Sequence, residues 1–84
     1  VVVVKLVMVK WRDPEIVGSW HTKKEINKPM ELIYSIGYYV KERDDTLILA
    51  GTIAPNWDGK TKYGDVMKFP MGCVSEIIEI EMEE

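Results

Sequence analysis

One cysteine, one histidine and one phenylalanine are all that this 84-residue chain holds of those types. A lone Cys73 excludes an internal disulfide, and with one histidine no Cys/His metal cage can be assembled. No apolar run approaches the roughly 20 residues that span a bilayer as a helix. The opening VVVVKLVMV is interrupted by Lys5 and carries no signal-peptide cleavage pattern. It also starts without methionine, so residues are expected upstream. A reducing, cytoplasmic setting fits this cysteine usage.

Catalytic signatures are missing as well. There is no G-x-S-x-G, HExxH, P-loop or GxGxxG. A histidine base needs a nucleophile within reach and a third group to orient it. His21, beside Trp20 in a polar stretch, has neither nearby in sequence. Asp44-Asp45 and Asp13…Glu15 lack EF-hand spacing and read as turn residues. We expect no enzyme, no cofactor and no metal.

What is present is a soluble composition, 46% hydrophobic and 30% charged, in a length that makes one domain spanning residues 1–84. A chain this small buries only roughly 60% of its unfolded surface, so association with a partner or a second copy would add needed stability. The net charge of −3 conceals a split. Residues 76–84 carry five glutamates and no cation, whereas the rest is faintly basic at +2. An acidic end of this kind reads as a last strand running into a solvated terminus.

The first eleven residues are valine-rich, hence strand-forming, and both alternation sets are apolar. Such a strand is either covered on two faces or prone to aggregate, with Lys5 and Lys10 as charged gatekeepers. Pro14 ends it. Residues 12–31 form a long connection, in which Thr22–Glu25 matches a capping box and predicts a short helical turn near Lys23–Asn27, stopped by Pro29. Residues 32–41 and 46–54 read as a hairpin around Glu42–Asp45. Pairing Ile36 with Gly51, Tyr38 with Leu49 and Val40 with Leu47 on the inner face leaves Tyr39 and Ile48 opposed on the outer one. Residues 55–65 read as a second long loop, 66–69 as a short strand, 70–73 as a tight turn and 74–82 as the final strand. The expected class is mainly β, a five-stranded sheet closing on itself into a small barrel with one short helical turn.

Two candidate binding surfaces follow. Tyr39 and Ile48 form an exposed apolar pair suited to a protein partner, host or self, including a homo-oligomer. Aromatics and cations gather in the two long loops: Arg12, Trp20, Lys23 and Lys24 in the first, Trp57, Lys60, Lys62 and Tyr63 in the second. Flat rings beside cations suit a nucleotide or single-stranded nucleic acid, with stacking worth about 1–3 kcal/mol per base. The competing expectation is that Trp11, Trp20 and Trp57 plug a small core beneath the loops.

Several short patterns recur together: Trp11-Arg12-Asp13, Trp20, Ser35-Ile36-Gly37-Tyr38, Asp44-Asp45, Leu47-Ile48-Leu49-Ala50 and Phe69-Pro70-Met71-Gly72-Cys73-Val74. In these the chain resembles a group of small, functionally uncharacterised proteins encoded by phages, prophages and bacteria. The likeness covers about three quarters of the chain. Phe69 departs from the aliphatic usual there, and residues 56–64 lie outside the shared pattern. The resemblance implies an SH3-like barrel and a phage or prophage context, with no catalytic residues.

Overall fold

The computed structural model describes residues 4–14 and 18–81. The valines at 1–3, part of the first connection at 15–17, and the last acidic residues at 82–84 lie outside the described residues. Five strands run antiparallel in one sheet: β1 (Leu6–Arg12), β2 (Leu32–Arg43), β3 (Thr46–Trp57), β4 (Lys60–Pro70) and β5 (Val74–Ile80). Their spatial order is β4-β3-β2-β1-β5. The sheet is not closed: β4 and β5 are its two edges, and no ladder joins them among the described residues. Among those residues no helix is long and apolar enough to cross a membrane.

The sheet nevertheless curls. Trp11 on β1 and Phe69 on β4 are three strand positions apart, about 14 Å by sideways spacing alone if the sheet were flat. Their ring centroids lie 5.1 Å apart, edge to face. The inner face of the curl is the core: Val7, Val9, Leu47, Leu49 and Phe69 are buried, with Trp11, Tyr39, Met67, Met71, Val74 and Ile77 packed against them. Alternation explains the choice, since Val7 and Val9, and Leu47 and Leu49, stand two apart on their strands. Of the three tryptophans only Trp11 joins this core; Trp20 and Trp57 are exposed.

The S-x-G stretch of β2 makes the curl possible. Trp11 Nε1 donates to Ser35 Oγ at 3.0 Å, which satisfies a part-buried indole N–H. Gly37 lies buried opposite Val7. A Cβ there would come within 3.1 Å of Met67 Cε and 3.2 Å of the Ala50 carbonyl oxygen. The missing side chain lets Met67 reach over β3 onto β2.

The hairpin register differs from the sequence reading. The connection is a two-residue turn, Asp44-Asp45, with φ of 51° and 57°, the left-handed pair of a type I′ turn. The ladder therefore starts at Arg43↔Thr46 and Glu42↔Leu47, and a shift between Tyr39 and Lys41 leaves Val40 unpaired before Tyr39↔Leu49 and Tyr38↔Ala50. That extra residue reverses the facing of β2. Tyr39 turns inward onto the core, Tyr38 and Ile36 turn outward, and Ile48 faces Lys41 instead of Tyr39.

Residues 55–65 are not a loop. They extend β3 and β4 into a long hairpin whose turn is Asp58-Gly59, with φ of 52° and 76°. Asp-Gly between strands is the favoured type I′ sequence. The helix expected near Lys23–Asn27 is a single hydrogen-bonded turn, Ile26 N to Thr22 O at 3.3 Å. The capping box does form: Thr22 N donates to Glu25 Oε2 and Glu25 N to Thr22 Oγ1, each at 3.4 Å. The 3-10 turn is instead at Met71–Cys73, between β4 and β5.

Candidate functional site

With its own side chains filling the inner face, the sheet presents its outer face to solvent. One row crosses all five strands through direct pairing: Ile80, Leu6, Tyr38, Ala50 and Val66. Beside it runs Ile78, Met8 and Ile36. The next row, Glu76, Lys10 and Tyr34, closes the patch with polarity: Lys10 Nζ is 3.2 Å from Glu76 Oε1 and 5.7 Å from the Tyr34 ring centroid. On the opposite border Ile48 stands between Lys41 and Lys68. Tyr34 and Ile36 are each 57% exposed and Val66 48%, while Leu6, Tyr38 and Ile80 are half-buried and Ala50 is fully buried within the row. An apolar centre about 19 Å across the strands with charges at its margins has the anatomy of an interface.

Of the apolar pair read from the sequence, only Ile48 belongs here. It is half-buried and lines a shallow depression with Arg43, Asp44, Thr46 and Lys68. Tyr39 does not, because the bulge turns it toward the core, where Lys5 Nζ lies 5.5 Å from its ring centroid. Sequence reasoning missed Tyr34, Ile36 and Val66. Their alternation was visible, but the phase of β2 was not.

The second candidate surface is the loop end. Antiparallel order places the end of β1, the start of β2, the end of β3 and the start of β4 at one end of the strands. The two aromatic–basic segments thus share that end. Trp20 is 97% exposed and Trp57 57%. Lys62 Nζ sits 5.2 Å from the Trp57 ring centroid, and Lys60 is the residue paired with Trp57. Tyr63 pairs with Ile53, so alternation points it to the opposite face from Lys62. Lys23 and Lys24 are exposed in the capped turn. Arg12 is engaged structurally: its Nη1 donates to the Met30 carbonyl at 2.7 Å, while Asp13 N donates to the Glu31 carbonyl at 3.2 Å. These two bonds pin the far end of the connection against β1.

His21 and Cys73 both lie at short local turns. His21 shares hydrogen bonds with Glu25 Oε2 at 3.3 Å and the Gly18 carbonyl at 2.7 Å. Cys73 is half-buried in the 3-10 turn. Among the described residues no three His, Cys, Asp or Glu side chains gather as a metal site would require. No protein-family model matches the chain, and no curated protein or solved structure does.

Proposed function

We propose that this chain is a non-enzymatic accessory binding protein of the phage or prophage type, built as an SH3-like barrel left open between β4 and β5, and acting on a protein partner in the cytoplasm. The observation that carries the reading is the outer apolar row from Ile80 to Val66. A small sheet protein normally keeps one face polar, whereas this one has a filled inner face and an apolar stripe across its outer face. The barrel part rests on the curl and on the three-residue link, Met71–Cys73, between strands at opposite edges of the sheet.

The test is a hydrophobic dye, anilinonaphthalene sulfonate, added to the wild-type chain and to Ile36→Asp with Val66→Asp. The reading expects the native chain to bind dye and the folded variant to lose most of the signal. A folded wild type that leaves the dye dark would refute it.

A second reading, a nucleotide or single-stranded nucleic-acid binder, is favoured by the exposure of Trp20 and Trp57 at one end of the strands. Tryptophan fluorescence titrated with short oligonucleotides would show quenching that weakens as salt rises, because phosphate contacts release counterions. No quenching at low salt would dismiss it.

A further inference from the structure

We propose that copies of this chain join head to tail through the sheet's edges, with β4 of one copy adding to β5 of the next. The inference concerns the edges and not the outer face, so it goes beyond the reading above and fails separately from it.

The first ground is unmet hydrogen bonding. Among the described residues β4, eleven residues long, and β5, seven residues long, pair on one side only. A free edge offers a row of N–H and C=O groups that templates another strand. Proteins blunt such edges with proline, lysine or bulges. β5 has neither proline nor glycine and a single bulge at Ser75 near its start, leaving residues 76–80 regular, and the only proline of β4 is Pro70 at its end.

The second ground is charge. β4 carries Lys60, Lys62 and Lys68 against Asp65, a net of +2, whereas β5 carries Glu76 and Glu79 with no cation, a net of −2. Exposed Glu81 follows directly. Lys60, Lys62 and Lys68 alternate onto the outer face of β4, as Glu76 does on β5, while Glu79 stands opposite Val7 on the inner face. Joining unlike edges therefore brings the lysines to Glu76, whereas joining like edges opposes charges of one sign, which selects the partner and the orientation. Within one copy Glu76 meets Lys10 at 3.2 Å and Glu79 meets Lys5 at 3.8 Å. Those side chains are 30–65% exposed, and ion pairs this close to the surface hold their partners weakly.

The third ground is area. A folded monomer of 9.7 kDa exposes about 5,100 Å², and this chain exposes 7006 Å². Its radius of gyration is 16.8 Å, against about 12 Å for a compact domain of this length. Part of that surplus lies on the connection at 18–31 and the tip of the β3–β4 hairpin, which are exposed throughout; the rest leaves room for an interface, and specific ones cover roughly 1,200–2,000 Å². A heterologous contact repeats from copy to copy, closing into a ring or extending as a filament.

The experiment is light scattering after size exclusion on the full chain, with a charge swap. Wild type is expected at a multiple of 9.7 kDa. Lys62→Glu with Lys68→Glu makes both edges acidic; Glu76→Lys with Glu79→Lys makes both basic. Each double variant alone is expected as a monomer, and an equimolar mixture recovers the assembly. Should the lysine variant misfold beside Lys5 and Lys10, Glu76→Gln with Glu79→Gln replaces it, with association weakened about tenfold or more. Ile36→Asp leaves the assembly intact while reducing dye binding at the outer face. A wild type that stays monomeric at every concentration overturns the inference. So does an assembly indifferent to charge reversal, or folded variants that do not recover on mixing. Loss of assembly in Ile36→Asp alone would move the contact to the outer face, refuting the edge inference while leaving the reading above standing.

Discussion

A single methyl group at Gly37 tests the curl of the sheet. In Gly37→Ala the new Cβ would lie 3.1 Å from Met67 Cε, 3.2 Å from the Ala50 carbonyl oxygen and 3.2 Å from Leu49 Cβ. Met67 can swing its end away. The carbonyl and Leu49 Cβ are held by the ladder, and Leu49 is fully buried. Crowding of this kind destabilises a packed interior by about 1–3 kcal/mol. Working against it, alanine restricts the unfolded chain and adds about 0.4–1 kcal/mol to stability. The balance is a loss of roughly 0.5–2 kcal/mol. With a urea slope near 1 kcal/mol per molar for a domain this small, the midpoint falls by about 0.5–2 M at unchanged slope. The assay is equilibrium urea unfolding followed by circular dichroism. Gly72→Ala, where a Cβ meets nothing within 4 Å, is the control: only the unfolded-chain effect acts there, so its midpoint should rise by up to about 1 M. A Gly37→Ala chain as stable as wild type would refute the claim that β2 is thinned at Gly37 to let Met67 rest on it.

Other substitutions probe the same account. Leu49→Ala removes one of the few fully buried side chains and should cost about 2–5 kcal/mol, enough to leave the chain largely unfolded by circular dichroism at room temperature. Ser35→Ala strips the indole of Trp11 of its acceptor and should cost about 1–2 kcal/mol in urea unfolding. Asp45→Gly relieves a left-handed residue in the β2–β3 turn and should raise stability by up to about 1 kcal/mol in the same assay. Trp20→Ala, at a side chain almost wholly in water, should shift the thermal midpoint by no more than the scatter between repeats.

Local signals were legible wherever the cause was local. The capping box at Thr22–Glu25 closes through two reciprocal hydrogen bonds because both partners lie within three residues. Leu47 and Leu49 turned inward as their alternation requires. Asp58-Gly59 reads only as a turn within a loop, because Pro55 and Gly64 on its flanks obscure the strands that extend through them. The outer patch was illegible for a different reason. Tyr34, Ile36 and Tyr38 alternate cleanly with Ser35, Gly37 and Tyr39, and a period of two permits either phase.

The amino-acid order by itself determined that the chain forms strands, where its tight turns fall, and that it holds none of the recognised catalytic motifs. Those properties follow from side-chain shape, from residues tolerant of positive φ, and from chemistry absent from the inventory. Only the tertiary structure decided which side of β2 meets the core, that the aromatic loops share one end, and which strands are left as edges. Each of those depends on pairing between distant segments, where one unpaired residue at Val40 exchanges inside for outside.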